Sequence, residues 1–209
     1  MFDNIQRYLG FQGTKYIKPE KAGNLAGEMI QLRELAQLAR QEFTQICLFF
    51  AQKHPSFQPE RVSQWMNQAQ VCRPHFWCYY RLPDDSKDSV ALALRLFGDP
   101  HSFGISVEVS FVERKKSSAT LSKQNKVLNR PINAPCYYLV QHKGVSEKMA
   151  GSEVNRQLLQ QLVQTGEIRK VLVKCDILCS TEMQLAELMP RLNEAFETLL
   201  PYYEETKRL

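Results

Sequence analysis

The residues best suited to chemistry lie in the middle of the chain, where a carboxylate is followed by a run of cations. Glu113-Arg114-Lys115-Lys116 ends an alternating apolar stretch, and no Asp or Glu follows until Glu147. The cations of this interval are Arg114, Lys115, Lys116, Lys123, Lys126, Arg130 and Lys143. Carboxylate oxygens suit hard divalent cations, whereas lysine and arginine suit phosphate. These residues therefore indicate two possible kinds of site: a metal site formed by acids, or a phosphate site formed by cations.

The basic segment at 114–130 is the stronger of these two features. Small hydroxyl and amide side chains stand between its cations and can donate hydrogen bonds to phosphate oxygens, while the cations release counterions from a nucleic-acid backbone. The predicted nucleic-acid-binding residues are Arg114, Lys116, Lys123, Lys126 and Arg130. No motif that reads base sequence is recognisable. Binding of DNA or RNA is the first functional hypothesis, and a solvated basic face that aids solubility is its alternative.

The elements that position these residues follow from the hydrophobic periodicity. Apolar residues at steps of three and four predict a long helix over 26–54, and Pro59-Glu60 opens a shorter one that ends near Gln70. The period then changes to two, which predicts strands at 75–82, 89–98 and 103–114. Their short connections favour an antiparallel three-stranded meander.

The second half of the chain predicts further helices and two more strands. Helices are expected at 117–129, at 151–166 and from Thr181, and strands at 136–142 and 170–178. Thr181 and Gln184 form a capping-box pattern, Pro190 should kink the last helix, and the tail beyond Pro201 should fray.

The predicted fold class is α+β. We expect a mixed, mainly antiparallel sheet of about five strands, a meander plus two, packed with the long N-terminal helix and the C-terminal helices. One domain is expected over 1–209, with a helical part at 1–70, the sheet at 75–178 and the last helix at 180–209.

The register of the central hairpin decides which acids can meet. Asp99 lies at the turn, so at ~3.3 Å per residue it would be roughly 35 Å from Glu113. A hairpin centred between Pro100 and His101 instead sets Glu113 opposite Asp88. The predicted constellation is therefore Asp88, or Asp85, with Glu113 and Lys115 at one end of the sheet.

A helix, three strands, a helix and a strand, with Glu113-Arg114-Lys115 on the third strand, resembles the core of the PD-(D/E)xK nucleases. The resemblance covers about residues 26–142. It implies a divalent metal held by an acid on the second strand and by the acid-x-Lys triple on the third. Asp88, Glu113 and Lys115 would then be catalytic, and Mg²⁺ would be the only cofactor. The alternative is a solvated strand end beside turn acids.

An aromatic strand supplies a further candidate surface. Trp77 and Tyr79 share one side of the strand at 75–82, which could stack bases, bind a partner or lie under a helix. Helix cover is the favoured interpretation. This face, or the apolar stripe of the last helix, would serve a protein-interaction or homo-oligomeric module without catalysis. The residues leave open whether the protein is an enzyme.

Composition indicates the cellular environment of the protein but not its activity. The net charge of +5 permits an anionic partner without requiring one. Six cysteines form no Cys-x-x-Cys pair, and their spacing departs from that of common zinc ligands. No signal-peptide pattern and no run of 18 apolar residues is present. We therefore expect a reduced cytoplasmic protein with no membrane association.

Overall fold

An antiparallel sheet of seven strands organises the fold in the computed structural model, which describes residues 2–86, 89–112, 117–142 and 144–208. The strands are β1 (Gln58–Pro59), β2 (Trp77–Arg81), β3 (Val90–Asp99), β4 (Ser102–Phe111), β5 (Tyr137–His142), β6 (Val145–Ala150) and β7 (Val171–Cys179). Their order is β1-β2-β3-β4-β7-β5-β6, and each pairing is antiparallel. The predicted α+β class is confirmed, with seven strands in place of about five.

Five α-helices accompany the sheet in the described ranges. They are α1 (Asp3–Leu9), α2 (Ala26–Lys53), α3 (Ser118–Asn125), α4 (Glu153–Gln164) and α5 (Leu185–Glu205). Short 3₁₀ turns lie at Pro19–Lys21, Gly23–Leu25 and Lys126–Asn129. None of the helices within these ranges is both long and apolar enough to cross a bilayer.

The β3–β4 hairpin has the register that its sequence predicts. The ladder runs from Val90 opposite Phe111 down to Asp99 opposite Ser102. Gly98 adopts φ +99, and a Cβ there would lie 2.1 Å from the carbonyl oxygen of Ser102. Only glycine fits this position, which explains why the strand ends in Gly-Asp-Pro.

One face of the sheet packs against α1, α2 and α5 and forms the main core. Phe196 of α5 lies edge-on to Phe50 of α2, with 5.3 Å between ring centroids, and to Phe57, at 5.2 Å. The sheet contributes its alternate apolar positions to this core, namely Val90, Leu92, Leu94, Leu96, Ile105, Val107, Val109, Val171, Val173, Cys175 and Ile177. Burying one such aliphatic side chain contributes about 1.5–3 kcal/mol, so the helices are held on this face.

The opposite face of the sheet is polar at its centre. Ser106, Glu108 and Ser110 of β4 alternate with the core residues, and Lys174 of β7 lies beside them. At one end, Trp77 and Tyr79 form a separate small cluster with Ala91, Ala93 and Val112. Trp77 and Tyr79 are both buried, as expected for a covered face, but no residue of this cluster comes from a described helix.

The helix predicted between Pro59 and Gln70 is wrong. The amides of Glu60 and Ser63 instead donate to the carbonyl oxygens of Tyr79 and Trp77, at 2.7 and 3.0 Å, which holds the segment in an extended path along β2. Pairing with a neighbouring strand satisfies these backbone groups as well as a helix would. Trp65 is still buried, as an anchor of the main core.

The C-terminal end also differs from its prediction. Helix α5 continues through Pro190 and Pro201 to Glu205, and its capping box uses Gln184 and Glu187 rather than Thr181 and Gln184. The last turn is buried because Tyr202 and Tyr203 face inward. The tail beyond Pro201 therefore packs against the domain and does not fray through this turn.

Candidate binding groove on the polar face of the sheet

Glu108 is the centre of a buried ion network on the polar face. Its Oε1 accepts a hydrogen bond from Nε of Arg95 at 2.8 Å, and its Oε2 lies 3.3 Å from Nζ of Lys174. The exposed fractions of the Glu108 and Lys174 side chains are 2% and 6%. Three neighbouring strands, β3, β4 and β7, thus each supply one charge.

The pKa of Glu108 shows which influence prevails in this network. Burial opposes the ionised carboxylate, but Arg95 and Lys174 outweigh it and hold the pKa of Glu108 below its ordinary value. The Glu108 carboxylate is therefore ionised at neutral pH. Moving such an ion network out of water costs free energy. Because replacing a buried ion network by apolar residues is often neutral or stabilising, core stability alone does not explain why these charges are present.

The network continues toward the edge of the sheet through Tyr137. Its hydroxyl donates to Oδ1 of Asp176 at 2.9 Å, and Nζ of Lys148 contacts Oδ2 of the same carboxylate at 3.1 Å. The Lys148 ammonium also lies 3.8 Å from the centroid of the Tyr137 ring. Tyr137 stands directly opposite Lys174 in the β5–β7 ladder, so the two groups of charges are adjacent.

At the other end, two guanidinium groups face the ring of Trp77. Their central carbons lie 4.7 Å (Arg73) and 5.0 Å (Arg95) from the ring centroid. Each such cation–π contact contributes about 0.5–2 kcal/mol, depending on desolvation. Arg95 joins the two features, since the same side chain contacts Glu108 and Trp77.

His75 completes this end of the face. Its ring centroid lies 5.6 Å from that of Trp77. Burial and the positive charge of Arg95 lower the pKa of His75 to about 4, so its imidazole is neutral at physiological pH. The positive charge around Trp77 therefore comes from arginine.

An open groove of about 610 Å³ lies beside Trp77. Its wall is the segment at 60–73, which runs along β2 and then turns at 67–70. The segment places Arg61, Gln64, Asn67, Gln68 and Arg73 around the groove, and β2 adds Trp77. Glu60 also lines the groove, and its carboxylate is 3.4 Å from the Arg81 guanidinium. The size is within the range of ligand sites, and the lining combines cations, amides and aromatic rings.

The sequence predicts three catalytic and five nucleic-acid-binding residues. Five of these eight lie outside the described residues, namely Asp88, Glu113, Lys115, Arg114 and Lys116. The structure therefore bears on neither the predicted catalytic constellation nor the first cations of the basic segment. The three described cations are Lys123 on α3, Lys126 in the following turn and Arg130 after it.

These three cations face the C-terminal end of the chain. The Lys126 ammonium donates to the carbonyl of Arg208, and the Arg130 guanidinium lies 4.0 Å from the carboxylate of Glu205. Lys123 lines a smaller groove of about 290 Å³ together with Asp85 and other polar residues. Part of their charge is therefore directed at the protein itself.

Asp85, the alternative metal ligand of the sequence hypothesis, is described and engaged. Its Oδ2 accepts from the amide of Leu82 at 2.9 Å and from the hydroxyl of Tyr203 at 2.5 Å, while Oδ1 contacts Nζ of Lys207 at 2.5 Å. This carboxylate fixes the end of α5 to the turn before β3. Within the described ranges, no three His, Cys, Asp or Glu side chains are grouped to hold a metal ion.

Sequence reasoning missed Arg95, Glu108 and Lys174. A signal was present, since each interrupts an otherwise apolar strand at a position whose parity is opposite to the core residues. Comparison with known proteins adds no assignment: no family model matches the chain, and no significant match is found among curated proteins.

Proposed function

We propose that the protein binds single-stranded nucleic acid in the groove beside Trp77, without catalysing a reaction on it. The observation that carries the proposal is the approach of Arg73 and Arg95 to one indole ring in the wall of an open groove. Unpaired bases stack on aromatic rings and on guanidinium planes alike. Arg73 is partly exposed and offers a guanidinium plane at this place, whereas Trp77 is largely buried and supports that plane from below.

Phosphate contacts would come from the exposed rim of the groove. Arg61 can neutralise a phosphate, and the side-chain amides of Gln64 and Asn67 can donate to phosphate oxygens or to base edges. The net charge of +5 favours encounter with a polyanion. Single-stranded sites combine such a rim with a stacking surface, which the Arg73 guanidinium would supply here.

The basic segment at 114–130 stays a second predicted phosphate-binding surface. We place the main site at the groove because Lys126 and Arg130 already contact the C-terminal turn, whereas the rim residues point outward from the 60–73 segment. The apolar stripe of α5 is one of the two surfaces considered for a protein-interaction module. Because its residues, including Leu192 and Phe196, pack in the main core, it is not open to a partner.

Fluorescence anisotropy with a labelled single-stranded oligonucleotide tests the proposal. Arg61→Ala/Arg73→Ala should weaken binding about tenfold or more and reduce the salt dependence, because one phosphate contact and one stacking surface, both cationic, would be lost. Arg191→Ala is the control. It removes an exposed arginine of α5, a helix on the face of the sheet opposite to the groove, and should change affinity less than about twofold.

Trp77 itself supplies a second readout. Trp65→Phe leaves Trp77 as the one tryptophan, because the chain contains two. Its fluorescence should then be quenched when a base stacks nearby. Absence of binding at low salt, or equal losses in the groove variant and in Arg191→Ala, would overturn the proposal.

The metal-dependent nuclease stays a second candidate. The described ladder follows the register from which Asp88 was placed opposite Glu113, as far as Val90 and Phe111. Cleavage of a nucleic acid would then be an added activity of a protein that binds it.

A further inference from the structure

A second groove lies on the other side of the 60–73 segment. It has a volume of about 480 Å³ and is lined by Tyr16, Lys18, Pro19, Glu20, Arg33, Gln37, Trp65 and Met66. Tyr16 and Trp65 pack edge to face with 5.1 Å between ring centroids. Its composition repeats that of the first groove, with two cations beside aromatic rings.

The two grooves meet at Met66, the residue that their linings share. Met66 is partly exposed and lies on the ridge that separates the two volumes. A thioether on an unbranched side chain adapts to irregular surfaces and packs well against aromatic rings. It therefore suits a ligand that passes across the ridge.

The ridge is held firmly enough to keep the grooves in a fixed relation. The Tyr8 hydroxyl donates to the carbonyl oxygens of Trp65 and Arg73, at 2.5 and 3.0 Å. From the other side, the guanidinium of Arg40 donates to the carbonyls of Val62 and Ser63, at 2.6 and 2.8 Å. The buried Tyr8 and the partly buried Arg40 thus fix both ends of the segment, so the spacing between the grooves is built into the fold.

We propose that the groove at Lys18 and Arg33 is a second subsite for the same ligand, which is a single strand long enough to cross Met66 and not a mononucleotide. This inference rests on the proposed function. Lys18 is exposed and Arg33 is partly exposed, so both can reach phosphates on the far side of the ridge. Two cation pairs with an apolar bridge between them match a chain whose charges repeat at intervals.

The test compares oligothymidylates of increasing length, from about 2 to 16 nucleotides, across the range of site sizes known for single-stranded DNA binders. Wild-type affinity should rise with length and then level off once both grooves are filled. Lys18→Ala/Arg33→Ala should weaken binding of the long strand about tenfold, as expected for two lost phosphate contacts. The same variant should leave binding of the shortest detectable strand within about twofold.

The variants separate failure of this inference from failure of the proposed function. Arg61→Ala/Arg73→Ala should weaken short and long strands alike. If Lys18→Ala/Arg33→Ala changes both lengths equally, or neither, the second subsite is overturned while the first groove stands. If no oligonucleotide binds the wild-type protein, or if polyglutamate binds as tightly as an oligonucleotide of similar charge, the proposed function itself is overturned. Thermal unfolding of each variant identifies any loss that is due to misfolding.

Discussion

Glu108 and Lys174 face each other across β4 and β7, with 3.3 Å between Oε2 and Nζ and almost no solvent on either side chain. Glu108→Gln removes the anion and leaves the buried Lys174 ammonium without the carboxylate that it contacts. Breaking a buried ion pair in this way costs about 3–5 kcal/mol, so the free energy of unfolding in urea should fall by that order.

Two further variants serve as controls for this first prediction, one at an exposed glutamate and one that also replaces Lys174. Glu204→Gln removes an exposed carboxylate from α5 and should change stability by less than about 0.5 kcal/mol. Glu108→Gln/Lys174→Met should be more stable than Glu108→Gln, because one unpaired cation has been removed. A single variant as stable as the wild type would show that the network is not anchored at Glu108.

His75 should make the protein acid-sensitive in a defined window. Its pKa is lowered to about 4 in the folded protein, mainly by burial, against about 6.5 in the unfolded chain. Between these values the unfolded state binds more protons, so the His75 contribution to stability is complete above pH 6.5 and is lost as pH falls toward 4.

Urea unfolding at pH 7, 5.5 and 4 checks this expectation. His75→Gln should lose less stability than the wild type across that range, because it has no imidazole to protonate. His101→Gln, at the exposed β3–β4 turn, should follow the wild type. Parallel curves for wild type and His75→Gln would contradict the prediction.

The end of α5 should depend on Asp85. Asp85→Asn removes the charge that accepts from Tyr203 and contacts Lys207, and hydrogen bonds to charged groups contribute about 1.5–3 kcal/mol each. We expect a loss of that order in the free energy of unfolding, together with faster proteolysis of the C-terminal turn. Asp84→Asn, at the exposed neighbouring position, is the control and should be near neutral. Tyr203→Phe should add little to Asp85→Asn if the two side chains act as a pair.

The cysteines should be unreactive in the native state. Five of the six are buried, and Cys179 is partly buried with its pKa raised to about 11 by burial. Thiolate is the reactive form, so labelling with a disulfide reagent at pH 8 should be slow and should begin at Cys179. All six thiols should react in urea, and Cys179→Ser should remove the first native event. Rapid native labelling of two or more thiols would refute the burial described above.

The nuclease candidate makes its own prediction about Glu113. Any Mg²⁺-stimulated cleavage of nucleic acid should disappear in Glu113→Gln, because that carboxylate is the predicted metal ligand on the third strand of the meander. Glu147→Gln, on the exposed strand β6, should retain it. Cleavage that survives Glu113→Gln, or absence of cleavage by the wild type, would remove the candidate and leave the binding proposal in place.

Elements with strong periodicity were predictable from the sequence, whereas elements defined by their neighbours were not. Helix α2 and the β3–β4 hairpin follow their apolar patterns closely. Strand β6 was missed because it is largely exposed at an edge and has no apolar alternation. The 60–73 segment has helical composition, but its backbone is bonded to β2 at Glu60 and Ser63 and to the Thr14–Tyr16 stretch near its other end, which local propensity does not include.

The candidate site was harder to predict than the fold because it depends on strand order. Aromatic residues at 77 and 79 were recognised as one face, but their arginine partners come from another strand and from the loop before β2. Glu108 meets Lys174 because β7 lies beside β4, although 66 positions separate the two residues in sequence. A contact between residues so far apart in sequence can be predicted only when the order of the strands in the sheet is known.

The position of β7 between β4 and β5 has a consequence for how the protein acquires its fold. The strand that joins the hairpin to the β5–β6 pair is the last of the described strands in sequence, so the two parts of the sheet are connected only through β7. Closing such long-range contacts is slow and cooperative, because the loop entropy is lost before the contacts are gained. The ion network and the completed sheet should therefore appear in the same late kinetic phase.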